Sequence, residues 1–443
     1  MPRLGQPRVA NLVRTLMIVG AAFAVALARA DQAQASKLLK TLHSFCAQFN
    51  CADGENPQGG LAMDTSGILY GATASGGVRG GGTVFELVPP SDGKGWKYRV
   101  LYNFCSNDCA DGDAPGEVTP VIDTAGNLYG TTVAGGSEDF GTVFKLSPNA
   151  NRKRWTHTVL YNFCTRDSAC SDGGHPGGPL TYAGAGSGAF YDGVSPLYGT
   201  SQDGGKHFRG VVYSLTPSAP GKWVQKTIYA FCKDRSVCAD DRSPYGLSVD
   251  GNGDLVGIAG GGIQGKGIAF RLTPVVGERF WAQTVLHSFC SQANCADGAF
   301  PIAMTGDEAG SFFGTTFEGG NTQCNSGCGV IFKIAPDGTE SVLYDFCSQS
   351  NCGDGSFPHS TLVIDQNANL FGTTEAGGAN NGGSLFKFDG SALQVLYSFC
   401  SETGCRDGQL PEGGLILDQA NDLFGLTGGG GKANGGTVFE LTP

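Results

Sequence analysis

Short hydrophobic runs separated by glycine-rich turns recur along the chain after residue 40. One copy, residues 60–104, contains four such runs, at 60–64, 68–73, 83–89 and 96–104. The runs are rich in Val, Ile, Leu, Tyr, Phe and Thr, while Gly, Pro, Ser and Asp fill the segments between them, which is typical of strands joined by turns. Within the third run the alternation has a period of two rather than 3.6. Each copy is therefore predicted to form four antiparallel strands, and no amphipathic helix is predicted after residue 40.

The unit occurs seven times. A phrase like LYNFC places cysteines at 46, 105, 164, 232, 290, 347 and 400, with a mean spacing of 59 residues. A four-stranded sheet cannot bury both faces alone, so the copies must stack, and seven units of this length fit the blades of a propeller.

The two ends of the repeat region indicate how the ring closes. Residues 37–45 match the fourth strand of a unit, and the chain stops at 436–443, which match the third strand. A linear array would leave two open sheet edges, which invite aggregation. The sequence therefore predicts an all-β fold, a seven-bladed β-propeller whose last blade combines three C-terminal strands with one N-terminal strand.

Residues 1–30 have the pattern of a secretory signal peptide. Three arginines precede a short apolar run at 16–27, and small residues follow it at positions 28 and 30. The apolar run is too short to span a bilayer comfortably. We expect residues 1–30 to be removed and residues 31–443 to form one propeller domain, secreted or periplasmic, monomeric and without a membrane span.

Composition and charge narrow the partners. Glycine accounts for 72 of 443 residues, about twice the usual share, and most glycines recur in turns. The formal net charge of −11 argues against nucleic acid as a partner. A glycan or another exported protein remains as the expected partner.

Sixteen cysteines fall into eight close pairs. In an exported chain this spacing predicts disulfides, and the pairs are Cys46–Cys51, Cys105–Cys109, Cys164–Cys170, Cys232–Cys238, Cys290–Cys295, Cys324–Cys328, Cys347–Cys352 and Cys400–Cys405. Zinc is the alternative, but a tetrahedral site needs two pairs to converge. Because the repeat places its pairs on successive blades, we predict that no metal is bound by them.

An aspartate follows each repeated cysteine pair, and all but one of these aspartates precede glycine. They are Asp53, Asp111, Asp172, Asp240, Asp297, Asp354 and Asp407. One interpretation is a turn whose carboxylate caps backbone N–H groups. The other is a ring of carboxylates at the channel mouth that binds a cation or sugar hydroxyls. Nearby aromatic residues, Tyr102, Tyr161, Tyr229, Tyr344 and Tyr397, either stack on sugar or fill the gaps between blades.

A second set of aspartates superficially resembles calcium loops. It starts the turns at Asp64, Asp123, Asp250, Asp365 and Asp418, but no glutamate stands at the twelfth position. Hairpin turns explain them better. We expect no cofactor, with calcium as the one ion to test.

No familiar catalytic motif is present: HExxH, GxSxG, the P-loop and a Rossmann glycine pattern in its strand-to-helix context are all missing. His43 and His287 stand where other repeats have tyrosine, so we expect them to be structural. His175 and His359 lie in the rim loops near Asp172 and Asp354, where a His–Asp pair could do acid–base work.

The phrases VLYNF (100–104), DGDAP (111–115), GNLYGTT (126–132) and GTVFKL (141–146) repeat through residues 42–443. This pattern resembles the Gloeo–Verrucomicrobial (GloVer) repeat of bacterial exported proteins. The resemblance implies a secreted or surface-displayed repeat protein, and it supplies no functional residues. The cysteine pair before Asp-Gly departs from the general pattern.

Three functions are consistent with these features. The leading hypothesis is a binding module that uses the loop rim at the propeller mouth, with glycan as the favoured ligand and the seven rim aspartates and His175 as candidate contacts. The second is a polysaccharide lyase or glycoside hydrolase whose site lies in the irregular third to fifth repeats, near His175, Asp240 and Asp241. The third is a structural envelope protein.

Overall fold

The computed structural model describes residues 39–91, 95–219, 221–232, 242–262 and 264–443. The predicted signal peptide, Cys238, Asp240 and Asp241 lie outside these residues. The described chain forms seven antiparallel sheets arranged as a seven-bladed β-propeller, as predicted. Its helical content is four 3-10 turns of three residues each, Phe49–Cys51, Ala185–Ser187, Ala293–Cys295 and Ser350–Cys352.

The first three blades follow one another along the chain, with their strands numbered in chain order. Blade 1 contains β2 (Ala62–Met63), β3 (Leu69–Thr73), β4 (Thr83–Val88) and β5 (Lys97–Asn103). Blade 2 contains β6 (Val121–Ile122), β7 (Leu128–Thr132), β8 (Thr142–Pro148) and β9 (Trp155–Asn162). Blade 3 contains β10 (Gly174–Thr181), β11 (Leu197–Asp203), β12 (Val211–Ala219) and β13 (Lys222–Ala230).

Blades 4 to 6 repeat this plan. Blade 4 contains β14 (Arg242–Val249), β15 (Leu255–Gly260), β16 (Ile268–Thr273) and β17 (Ala282–Ser288). Blade 5 contains β18 (Ala299–Gly306), β19 (Phe312–Glu318), β20 (Val330–Ile334) and β21 (Glu340–Asp345). In blade 6 the first strand is split into β22 (Ser356–Pro358) and β23 (Val363–Ile364), which both pair with β24 (Leu370–Ala376), followed by β25 (Ser384–Phe388) and β26 (Leu393–Ser398).

Blade 7 closes the ring with strands from both ends of the chain. It contains β27 (Ile416–Leu417), β28 (Leu423–Thr427), β29 (Thr437–Leu441) and, as its outer strand, β1 (Leu39–Ser44). The register runs antiparallel from Leu39 opposite Leu441 to Ser44 opposite Thr437. The predicted three-plus-one closure is therefore confirmed.

The core consists of seven clusters, one between each pair of neighbouring blades. A phenylalanine that follows the fourth strand of one blade is almost completely buried and meets an aromatic ring of the third strand in the next blade. Phe104 and Phe144 show the geometry, with ring centroids 5.1 Å apart in an edge-to-face arrangement. Such a pair adds about 0.5–1.5 kcal/mol to the burial of its apolar surface. Because the contact recurs at all seven junctions, it explains the Phe of the repeated phrase.

The insertion in the third repeat covers the end of the neighbouring blade. Tyr191 is fully buried, and its backbone exchanges hydrogen bonds with Ile122 and Thr124 of blade 2. This insertion therefore supports the packing of blades 2 and 3. The departure in the fourth repeat, LVGIAG, still forms a regular second strand, β15.

Candidate functional site

The aspartates of the repeated Asp-Gly loops are buried and organise their own loops. In the six described loops the aspartate is at most 9% exposed. Asp354 is typical: its carboxylate accepts hydrogen bonds from the backbone N–H groups of Ser348 (2.9 Å) and Gln349 (3.1 Å). It also accepts one from the hydroxyl of Tyr344 at 2.7 Å. This geometry corresponds to the capping interpretation, in which the carboxylate replaces a backbone acceptor.

The same arrangement recurs around the propeller. A tyrosine hydroxyl donates to the aspartate in the loops of Asp111, Asp172 and Asp407, at 2.6–2.7 Å. A histidine occupies the tyrosine position in the loops of Asp53 and Asp297, with Nε2 to carboxylate distances of 3.2 and 3.0 Å. The tyrosines and these two histidines are therefore structural partners of the aspartates. Tyr229, which precedes the undescribed Asp240 loop, donates to Gln283 at 2.6 Å.

Hydrogen bonding also changes the acidity of these carboxyl groups. Burial acts to raise the pKa of Asp111, but hydrogen bonds from Ser106 and Tyr102 outweigh it and hold that pKa below its ordinary value. Asp297 shows the same balance, because burial opposes its hydrogen bonds from Ser291 and the net effect lowers the pKa. Ionised aspartates are thus part of the folded structure, with little surface left for a ligand.

His175 pairs with Asp203 rather than with the neighbouring Asp172. Its Nδ1 lies 2.9 Å from a carboxylate oxygen of Asp203, at the end of β11, and its ring contacts Phe140. Asp172 instead binds Tyr161 and Thr165. The buried carboxylate of Asp172 is thus engaged within its own loop, and the ion pair of His175 is with Asp203.

The cysteine pairs form disulfides, as predicted, in the part of the chain that is described. These are 46–51, 105–109, 164–170, 290–295, 324–328, 347–352 and 400–405. The argument that no two pairs converge is wrong at one place. The four sulfurs of Cys324, Cys328, Cys347 and Cys352 all lie within 4.8 Å of one another, because the extra loop of blade 5 reaches the loop between blades 5 and 6.

The calcium-like sequences form hairpin turns between the first and second strands. In each, one aspartate oxygen accepts the N–H groups of the second and fourth residues that follow, as Asp123 does for Ala125 (2.9 Å) and Asn127 (2.8 Å). This is an Asx turn. Within the described ranges, the groups of His, Cys, Asp and Glu whose ligand atoms converge are two cysteine-containing clusters, and neither includes these turns.

The central channel contains a cavity of about 410 Å³ lined by all seven blades. This volume lies within the usual range for small-ligand sites, about 300–1,000 Å³. Most of the lining lies in or just before the first strands, after the proline that follows each Asp-Gly loop, and Gln202, Val256 and Ile258 come from second strands. The cavity therefore lies near the loop end of the channel. Its charged or titratable residues are Glu117, Tyr245, His359 and Glu412, and the described lining contains no lysine or arginine.

Two groups in this cavity lack protein partners. Glu117 Oε2 and His359 Nδ1 are buried and make no hydrogen bond to other described residues. Burial raises the pKa of Glu117 above its ordinary value, against the opposing charge of His359. Burial and the carboxylate of Glu412 likewise raise the pKa of Glu375, again opposed by His359. Buried polar groups are normally paired, so these two atoms are exceptions within the cavity.

The mouth above the cavity is formed by seven equivalent residues in an unusual conformation. Each directly precedes the repeated proline and has a left-handed φ between 50° and 58°. In each case the backbone N–H donates to a loop of the preceding blade, as Phe300 does to Lys266 (2.7 Å) and Phe357 to Cys328 (2.8 Å). The residues are Asn56, Ala114, His175, Ser243, Phe300, Phe357 and Leu410. Left-handed backbone is costly for a bulky residue, and these bonds between blades hold it there.

The mouth residues are chemically uneven. Phe300 and Leu410 keep 39% and 37% of their surface exposed. Phe317 contacts Phe357 in a tilted arrangement, with ring centroids 5.2 Å apart, and meets His359 edge-on at 5.6 Å. The mouth therefore has an aromatic side at blades 5 and 6, next to the polar groups of the cavity.

Sequence reasoning missed Glu117, Glu375 and Glu412, and it placed His359 beside Asp354 rather than in the channel. The signal was present in the repeat itself. The positions just after the repeated proline hold a different residue in nearly every copy, such as Gln58, Tyr245, His359 and Glu412. Positions that stay constant in all blades serve the shared fold, whereas equivalent positions that vary around one cavity are available for recognition.

In the part of the chain that is described, no helix has the length and hydrophobicity needed to cross a membrane. No curated protein matches the chain. The solved structure of the polysaccharide lyase Uly1 is similar, with a TM-score of 0.51 and 10% identity over 90% of this chain and 93% of the other. The WD40 β-propeller domain of Doa1 has a TM-score of 0.47 and 13% identity over 91% and 96% of the two chains. At these identities the likeness concerns the fold alone.

The repeat itself has a closer counterpart. The model of the Gloeobacter/Verrucomicrobia repeat matches residues 30–263 and 243–443, which together cover nearly the whole sequence. These matches include all seven blades and the cavity residues described above. The chain belongs to the Gloeobacter/Verrucomicrobia repeat family.

Proposed function

We propose that this protein is a binding module for a neutral, hydroxyl-rich glycan that enters the central cavity through the mouth. The observation that carries the proposal is the pair of buried atoms without protein partners, Glu117 Oε2 and His359 Nδ1, inside a cavity of about 410 Å³. A carboxylate accepts hydrogen bonds from hydroxyl groups, and an imidazole either accepts or donates one. A sugar hydroxyl satisfies both groups.

The aromatic side of the mouth supports the same ligand class. Phe300, Phe317 and Phe357 offer apolar ring surface beside the polar groups of the cavity. A sugar ring has both C–H surface and hydroxyls, and so matches an apolar wall next to hydrogen-bonding groups, the usual composition of small-ligand sites.

Charge selects against acidic ligands. The lining holds Glu117 and Glu412, with Glu375 close by, and the described lining has no lysine or arginine to neutralise an anion. Bringing a uronate or phosphate into this cavity would place like charges together in a partly dry site, which is unfavourable. The proposal is therefore a neutral or amino-substituted glycan, and a lyase acting on an acidic polysaccharide is disfavoured.

The carboxylates of the six described Asp-Gly loops have a different role in this proposal. Their internal hydrogen bonds keep the loops in place, and the loops in turn support the mouth residues that follow them. In this proposal the predicted ligand contacts at Asp53, Asp111, Asp172, Asp297, Asp354 and Asp407 stabilise the fold and do not touch the ligand.

The test is a glycan array with residues 31–443, followed by calorimetry on each hit. Glu117→Gln removes a charged acceptor, and because a hydrogen bond to a charged group is worth about 1.5–3 kcal/mol, Kd should rise roughly ten- to a hundredfold. The matched control is Glu340→Gln, which changes another half-buried glutamate whose pKa is raised, in the outer strand β21. Its Kd should stay at the wild-type value.

The outcomes separate the alternatives. If no glycan on the array binds, the proposal of glycan recognition is wrong, and a protein partner or a structural role remains. If Glu117→Gln leaves the Kd of a glycan hit unchanged, that glycan binds outside the cavity. Release of shorter products would favour a glycoside hydrolase, since Glu117, with its raised pKa, and His359 face the same cavity and perturbed groups in clefts are candidates for acid–base work.

A further inference from the structure

The extra loop of the fifth repeat brings two cysteine pairs together. Cys324 and Cys328 lie in the loop between β19 and β20, and Cys347 and Cys352 lie in the loop after β21. Their four sulfurs are within 4.8 Å of one another, and Cys328 and Cys347 are fully buried. In the present structure they form the disulfides 324–328 and 347–352.

The spacing of these cysteines is that of a four-cysteine zinc site. Three residues separate the first pair, four separate the second, and eighteen lie between the pairs. Zinc sites commonly have two to four residues within a pair and about 15–20 between pairs. Each pair is contributed by its own loop, and the two loops meet at the open end of the β20–β21 hairpin, where Val330 lies opposite Asp345.

The distances require only a small adjustment. With Zn–S bonds of about 2.3 Å, sulfurs in a tetrahedral site are about 3.8 Å apart, so each needs to move by no more than roughly 1 Å. The surroundings already hold the ligands in place. The backbone N–H of Cys324 lies 3.1 Å from the sulfur of Cys328, and Asn321 donates to the backbone oxygen of Cys347 at 3.0 Å. Such contacts orient the ligands of a metal site.

We propose that the reduced forms of Cys324, Cys328, Cys347 and Cys352 bind one Zn²⁺, so that this junction is held either by two disulfides or by the metal. Two equivalents of a dithiol supply the four electrons and four protons that convert both disulfides to four thiols. Zn²⁺ then displaces the four protons and is held by four thiolates. The other repeated pairs in the described chain bring no second pair within reach, so they cannot form this site.

The test uses the whole folded chain, residues 31–443, reduced with a dithiol, freed of reductant under argon and titrated with Zn²⁺ or Co²⁺. The wild type should retain one equivalent of metal after gel filtration. Its Co²⁺ form should show the intense visible bands and the sulfur-to-cobalt charge-transfer band of tetrahedral thiolate ligation. The oxidised protein should retain none.

Variants locate the metal. The double variant Cys324→Ser with Cys328→Ser should no longer retain the one equivalent of metal. The matched control in blade 2, Cys105→Ser with Cys109→Ser, should still retain it. Cys324→His keeps four donors and should retain Co²⁺ with a weaker charge-transfer band, and this variant gives a reading even if the double variant misfolds. Absence of bound metal in the reduced wild type, equal loss in both double variants, or an unchanged band in Cys324→His would overturn the proposal.

Discussion

Replacing Asp111 by alanine should destabilise the fold and leave ligand affinity unchanged. Asp111 is 9% exposed, and its carboxylate accepts hydrogen bonds from three different donors. These come from the Ser106 backbone at 2.9 Å, the Ser106 hydroxyl at 2.7 Å and the Tyr102 hydroxyl at 2.7 Å. In Asp111→Ala these donors lose their acceptor together, and the loop that supports the mouth loses its internal cap.

The size of the effect follows from these contacts. A hydrogen bond to a charged group contributes about 1.5–3 kcal/mol, and the value is lower where the freed donor can reach water. Ser106 is exposed and Tyr102 half-buried, so part of the loss is recovered. We expect the free energy of unfolding to fall by about 2–3 kcal/mol in total, which for a chain of this size lowers Tm by roughly 2–4 °C.

The pH dependence gives an independent check. The folded-state pKa of Asp111 is lowered, so its contribution is complete above the pKa of the unfolded chain, about 3.9, and is lost as the pH falls through the lower folded-state value. The stability difference between wild type and Asp111→Ala should therefore be constant from pH 5 to 7, roughly, and shrink below about pH 4.

The assay is thermal and denaturant unfolding of residues 31–443, beside calorimetry with a glycan hit at a temperature where both proteins are folded. Glu138→Ala is the control, because it removes an exposed carboxylate from a neighbouring loop of blade 2. If Asp111→Ala kept the wild-type Tm but abolished binding, the carboxylate would be a ligand contact and the capping role would be refuted.

Three further predictions concern the core, the outer strands and ring closure. Gly372→Ala should lower the free energy of unfolding by about 1–3 kcal/mol, because a Cβ there would lie 2.7 Å from the ring of Phe386. Denaturant unfolding measures this change, and Gly251→Ala is the control because the space around Gly251 is open. Glu340→Gln should stabilise the protein by about 1 kcal/mol at pH 8, after allowance for solvent screening. The reason is that burial and the charge of Asp297 raise the pKa of Glu340 to about 7, so its ionised form is disfavoured in the folded state. Relative to this variant, the wild type should lose stability as the pH rises from about 4.3 to 7 and lose no more above pH 7, roughly. Deleting residues 31–46 removes β1 and leaves β29 as an open sheet edge. Gel filtration of this variant should show self-association, and a synthetic peptide of residues 37–46 should reverse it. A monomeric deletion variant would contradict the proposed closure of the ring.

Much of the fold could be predicted from the sequence because its signals are local and repeated seven times. The four predicted runs within residues 60–104 correspond to β2–β5, and their ends differ from the observed strand ends by no more than two residues. The match of residues 37–45 to a fourth strand located β1 correctly. Apolar alternation and glycine turns depend on the immediate neighbours of each residue, so one sequence is enough to read them.

The candidate site was harder to predict because it is assembled across the ring. Glu117 of blade 2 and His359 of blade 6 are 242 positions apart in sequence and influence each other electrostatically only because the ring closes. The left-handed conformation before each proline is also invisible in the sequence, where the residue before proline is expected to be extended. That conformation depends on a hydrogen bond from the preceding blade, as for Phe357 and Cys328.

The distinction between constant and varied positions accounts for both the successes and the errors. A residue present in every blade, such as the aspartate of the Asp-Gly loop, has a partner within its own repeat, and the structure gives it one in the tyrosine or histidine ten residues or so earlier. Recognition of one ligand on the channel axis requires the blades to differ, because a single molecule presents different groups to different sides of the cavity. Tyr245, His359 and Glu412, each directly after its proline, differ in this way, and Glu117 lies one position further along in blade 2. In a closed repeat protein with a central cavity, the search for function therefore begins where the repeat is broken at equivalent positions.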